Sequence, residues 1–168
     1  MDLFEAIEKR KSIRKYEERE VPEDLLRRVL DSVRLAPSAA NRQPWHFFVV
    51  RDEKKRAAFK AAYDQEWFHA APVLVVACAD TEAAWTRKAD GASYAKVDVA
   101  IAFDHLTLAA AALGLGTCWI AAFKPDAVRG LLELPDNLVP VALTPLGHPA
   151  KDGRPRERKS LDEIVTWV

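Results

Sequence analysis

The chain has 168 residues, of which 49% are apolar, and its 25 lysines and arginines are balanced by 25 aspartates and glutamates. Such a length is most simply one domain, residues 1–168, able to bury a real core, and the apolar content excludes a disordered chain. A formal net charge of zero excludes recognition of nucleic acid or an anionic membrane by bulk charge, so any basic function must be local.

Met1 and Asp2 open an acidic amphipathic segment with no charged-then-apolar leader, and a cytoplasmic location is expected. Asp2 and Glu5 have capping-box spacing, and Leu3, Phe4 and Ile7 supply the apolar stripe of a first short helix. A basic island follows, Arg10, Lys11, Ser12, Ile13, Arg14, Lys15 and Tyr16, in which β-branched Ile13 breaks the helical pattern. Pro22 suits the first turn of a second helix whose buried face is Leu25, Leu26, Val29, Leu30 and Val33, and Pro37 ends it.

Pro37 to Pro44, PSAANRQP, is a polar loop of small residues leading into a strand from Trp45 to Val50. Asp52 and Glu53 start a helix carrying Ala57, Ala58, Phe59, Ala62 and Tyr63, and the run from Pro72 to Ala79 is a strand apolar enough to be covered on both faces. Thr81 to Lys96 has the least pattern and reads as a variable surface segment, a candidate lid.

Val97 to Phe123 holds the longest apolar run and predicts a buried, alanine-rich helix running into a buried strand at Thr117 to Ile120. Asp98, Asp104 and His105 interrupt it, so it is no bilayer span. Its alanines allow close packing of either another helix of this chain or the same helix of a second subunit. Pro125 to Leu132 is a short helix, Val139 to Leu146 the last core strand, and Arg154 to Lys159 a second basic island. Ser160 and Glu163 then cap a terminal helix from Leu161 to Val165. Strands flanked by helices on both sides give an α/β or α+β sandwich.

Several chemistries find no support. The four histidines lie far apart with no cysteine or carboxylate at ligand spacing, which speaks against a metal centre. Cys78 and Cys118 sit in apolar runs and read as buried thiols. No nucleophile elbow is present, and Gly114 and Gly116 follow a helix, whereas a dinucleotide fingerprint follows a strand. Two features are left, the basic islands and the APSAANRQPW loop. Arg10, Ser12, Arg156 and Arg158 are either two solvated charge runs or a converging donor set for one phosphate.

RKSIRKY, APSAANRQPWHFFVV, ALGLGTCWIAAF and RPRERKSLDEIV occur in this order, and together they resemble the FMN-dependent nitroreductase family over all of the chain except Thr81 to Lys96. The resemblance implies an α+β fold, a three-layer α/β/α sandwich with a mixed, largely antiparallel central sheet, assembled as a homodimer with FMN at the interface. It implies that Arg10, Lys11, Ser12, Arg156 and Arg158 hold the flavin phosphate and that Arg14 sits at the pyrimidine edge of the ring. A fixed cation there favours the reduced ring, which carries negative charge near N1 and O2. Pro37, Ser38, Ala39 and Asn41 match a loop supplied by the other subunit, and Ile120, Ala121 and Ala122 match a segment whose backbone passes the ring. Gln43, Pro44 and Trp45 are expected to fix that loop and start the strand.

The implied activity is hydride transfer from NADH or NADPH to flavin and then to an acceptor such as a nitroaromatic or quinone, in a ping-pong cycle with no catalytic side chain. Dehalogenation or flavin modification on the same fold, or a flavin-binding module without turnover, are the alternatives. Departures from the family pattern are Ala121 and Ala122 where glycines are common, Lys11 where arginine is common, and His148 where tyrosine is frequent. A loop donated across an interface also tilts the central helix toward a dimer seam, with Asp98, Asp104 and His105 as candidate polar contacts there.

Overall fold

The Asp2 carboxylate accepts the Glu5 backbone N–H while the Glu5 side chain accepts the Asp2 N–H, so the capping box starts α1 (Leu3–Lys9) as its spacing predicts. The structure, a computed structural model, describes residues 1–168. Only Ala6 of α1 is buried; Leu3, Phe4 and Ile7, the expected core stripe, face outward in the single chain. Helix α2 (Glu23–Arg34) buries Leu26, Val29 and Val33, with Leu25 and Leu30 partly covered. Strand β1 (Trp45–Val50) has the predicted limits.

The helix predicted through Tyr63 stops early. Helix α3 (Glu53–Ala58) tightens into a 3₁₀ turn at Phe59–Ala61, and α4 (Glu66–His69) is a separate turn. The Ala62 carbonyl, which has no partner within the turn, accepts the Lys124 N–H and ties this segment to the start of α6.

Strand β2 (Val73–Asp80) is the centre of the sheet, in the order β1-β2-β4-β3 with β3 (Gly116–Thr117) and β4 (Leu138–Gly147). All three ladders are antiparallel, and the parallel component is a single bridge, Ser12 to Thr117. Successive β2 residues point to opposite faces. Val73, Val75, Ala77 and Ala79 pack under α2 and α5 (Ala95–Ala112), while Leu74, Val76 and Cys78 pack against Phe59, Phe68 and Val128 of the other layer, where α6 (Pro125–Leu132) lies. The unbroken apolar run is thus covered on both sides, and the three-layer α+β sandwich is the fold.

Helix α5 finds its packing partners inside the chain, against α2, α1 and the sheet. Its start two residues before Val97 takes Ala95 and Lys96 out of the expected surface segment. The rest of that segment is ordered as a small ribbon: Thr86 bridges Ser93, Arg87 clasps Asp90, and Trp85 meets Tyr94 edge to face at 5.1 Å. Helix α5 ends on Gly114, whose φ of 74° lets the Leu115 N–H turn back to the Ala110 carbonyl at 2.8 Å.

The strand predicted from Thr117 to Ile120 is interrupted. The Cys118 N–H donates to the Thr144 hydroxyl at 3.0 Å rather than to a ladder carbonyl, and pairing resumes only at the Ile120–Leu143 bridge. A four-residue α7 (Leu161–Ile164) ends the chain on the surface. No helix is long and apolar enough to cross a membrane.

Candidate functional site

Backbone bridges bring the two chain ends together. Ser12 pairs with Thr117, the Ile13 N–H donates to the Thr117 carbonyl at 2.8 Å, and Tyr16 pairs with Pro149. The first basic island therefore hangs on the edge of β3 while the second leaves the end of β4 beside it. Gly116 is needed for this approach, since a Cβ there would lie 2.7 Å from Ile13 Cγ1.

The result is a polar groove of about 420 Å³ lined by Arg10, Lys11, Ser12, Arg14, Arg156 and Arg158, all predicted, and by Arg154, which was not. Glu8 is its single carboxylate. Arg154 belongs to the same RPRER run as its neighbours, and that run was the signal that could have found it. Lys11 is engaged with Asp152 at 2.6 Å, and this ammonium holds the Asp152 carboxyl below the usual carboxylate range. The Arg14 guanidinium lies over the Trp67 ring, 5.7 Å from its centroid, a contact of about 0.5–1 kcal/mol at an exposed site. Trp67, which the sequence reading did not single out, is the residue that gives Arg14 a seat. The Cys118 thiol lies behind this region and is pushed up by burial, opposed by the charges of Arg14 and Arg10. It is a packed thiol, unlike a reactive one.

The other predicted residues lie outside the groove of the same chain. Pro37 and Asn41 are exposed, and Ser38 and Ala39 are half-buried. Their loop is tightly wound, with Ala40, Asn41 and Gln43 at φ of 50°, 52° and 49°. The Ser38 hydroxyl accepts the Gln43 N–H at 2.8 Å, and the buried Asp98 accepts the Ala39 N–H at 3.0 Å. Gln43 Nε2 donates to the Asn41 carbonyl, and the Pro44 carbonyl accepts the Asp80 N–H, so these residues do fix the loop onto the sheet.

Ile120 is buried, and its N–H and C=O are both spent on Leu143. The free backbone of that segment belongs to Ala121 and Ala122, which are exposed. Asp98 and His105, expected near a subunit seam, make their contacts within the chain. Asp98 holds the loop, and His105 Nδ1 lies 3.3 Å from the Ser32 carbonyl on α2.

Known proteins resemble this chain in sequence and in fold. The family model of the nitroreductase family matches residues 7–65 and 57–148. The chain belongs to the nitroreductase family. A protein of Thermus thermophilus named NADH dehydrogenase is 36% identical over 99% of this chain and 96% of its own length. A crystal structure of a nitroreductase family protein from Clostridium difficile superposes with a TM-score of 0.92 at 34% identity, covering 99% of this chain and 98% of that one. A nitroreductase structure from Desulfovibrio desulfuricans, solved in complex with FMN, superposes with a TM-score of 0.85 at 28% identity over 100% of this chain and 97% of its own.

Proposed function

We propose that this chain is an FMN-dependent oxidoreductase that draws reducing equivalents from NADH or NADPH and works as a homodimer. The observation that carries the reading is the groove in which both chain ends turn arginines toward one space beside the Ser12 hydroxyl. A phosphate dianion suits such a donor set: guanidinium groups bind it through paired N–H bonds, and a hydroxyl adds a neutral donor.

When bound, FMN supplies hydride acceptance from the nicotinamide and onward reduction of an acceptor such as a nitroaromatic or quinone, in alternating half-reactions. The chain's own residues bind, orient and tune. Arg10, Ser12, Arg156 and Arg158, with Lys11 shared by Asp152, hold the phosphate. Arg14, seated on Trp67, presents a planar cation to the pyrimidine edge. Pro37, Ser38, Ala39 and Asn41 of one protomer meet the flavin held by its partner, with Asn41 able to donate and accept. Ala121 and Ala122 offer free backbone polar groups to the ring.

A second copy also has surface to cover. Leu3, Phe4 and Ile7 of α1 are exposed, and a mostly apolar groove of about 270 Å³, lined by Leu3, Leu108 and Ala112, runs between α1 and α5.

Protein saturated with FMN and freed of excess should be yellow, and stopped-flow mixing with NADH or NADPH should bleach it. A colourless protein that takes up no added FMN overturns the reading, and a loaded protein that neither nicotinamide bleaches reduces it to a passive binder. Light scattering should give the mass of two chains.

A further inference from the structure

We infer that Asp98 is the positioning residue that sets the Pro37–Asn41 loop in its flavin-facing shape, an inference that rests on the flavin reading above. Ala40 and Gln43 hold positive φ, a conformation that such residues keep only when their surroundings impose it, and Asn41, which tolerates it, lies between them at a similar φ. Most of the loop's bonds are internal: Ser38 accepts from Asn41 and Gln43, and Ala39 from Arg42. Internal bonds shape a loop but do not say where it stands.

The tether at its start is the bond from the Ala39 N–H to Asp98 Oδ1, at 3.0 Å across 59 residues of sequence. At its end the Pro44 carbonyl is tied to the Asp80 N–H. Between these two anchors Ala40 and Asn41 face outward.

Asp98 is built to be rigid. It lies in the first turn of the 18-residue α5, is 1% exposed, and its own N–H is bonded to the Tyr94 carbonyl. Its second oxygen, Oδ2, is buried without a partner. A carboxylate in that state is an expensive way to fill space, since an apolar side chain would do so without desolvating a polar group. What the acid provides and an apolar residue cannot is an acceptor for the loop amide. Asp98 thus acts through Ala39 and not on the cofactor itself.

The test combines hydrogen exchange across residues 37–43 in flavin-free protein with FMN titration by fluorescence. In Asp98→Ala the loop should exchange about tenfold faster and the FMN dissociation constant should rise about tenfold, the loss of one buried hydrogen bond. Asp98→Asn keeps an acceptor for Ala39 and should stay within about threefold of the parent on both measures.

Unchanged loop exchange in Asp98→Ala, or Asp98→Asn behaving like Asp98→Ala, overturns the inference. If the parent protein takes up no FMN, the flavin reading falls while the exchange measurement still decides the role of Asp98. Should Asp98→Ala fail to fold, Ala39→Pro removes the donor and leaves the acid in place. Proline suits that position, which follows an extended Ser38 and opens a helical turn. Its FMN affinity should fall about tenfold, and parental affinity there overturns the inference.

Discussion

Strand β2 and the two chain ends stand at opposite extremes of this molecule. Every residue from Val73 to Ala79 is at most 1% exposed, packed between two helical layers and hydrogen-bonded on both edges. From Arg154 to Ile164 every residue is exposed, and the charged groups that line the groove rest on a few backbone bridges. Stability therefore resides in one region and the proposed phosphate site in the other. Substitutions in the two should separate cleanly.

The largest effect belongs to the core. Leu74→Ala, at a fully buried position packed with Phe59, α4 and α6, should cost about 2–5 kcal/mol in urea unfolding and leave the FMN affinity of the folded protein unchanged. Next comes the one substitution that crosses the divide. Gly116→Ala places a Cβ 2.7 Å from Ile13, so it should cost about 1–3 kcal/mol and weaken FMN as well, because Ser12 and Arg14 flank the residue that must move. Thermal unfolding and a flavin titration check both halves.

Arg156→Ala combined with Arg158→Ala should do the reverse of Leu74→Ala. The FMN dissociation constant should rise about tenfold or more while the melting temperature of flavin-free protein stays put, and added salt should shrink the difference. Unchanged FMN affinity would remove the C-terminal island from the site.

The smallest effects are in the pH response, and they too divide by region. Burial pushes the Cys78 thiol up to about 12, above the value of an exposed thiol. The unfolded chain releases that proton first, so stability is complete below the ordinary thiol range and falls as pH rises through the alkaline window toward 12. Cys78→Ala should flatten that fall. Asp152 behaves oppositely: Lys11 lowers its pKa, so its contribution is present above the ordinary carboxylate range and fades as pH drops through the lowered value. Asp152→Asn should remove this acid response, read by thermal unfolding at a series of pH values.

How much was legible in the residues follows the same division. The capping box of α1, the limits of β1 and α6, and the two-faced burial of β2 were all readable because each depends on neighbours in sequence. The failures came where a distant group captured a backbone atom. The Thr144 hydroxyl took the Cys118 N–H and split the predicted strand, and the chain after Ala58 tightened into a turn tied by Ala62 to Lys124. At the candidate site, the RKSIR and RPRER islands announced a set of cations, but nothing local said that they share a groove. Nothing local placed Trp67 beneath Arg14, and Asp98, visible as a charge in an apolar run, carried no sign that Ala39 is its partner, since each contact spans more than fifty residues.

By itself, then, the sequence determined the types of element, the burial of the central strand and the chemical character of the site. Those follow from periodicity, capping and charge, which act over a turn or a strand's length. Only the tertiary structure decided that the chain ends meet at Thr117 and Pro149 and that a buried acid holds a strained loop in place. Both depend on backbone and side-chain hydrogen bonds between segments remote in sequence, and it is chain packing that chooses such partners.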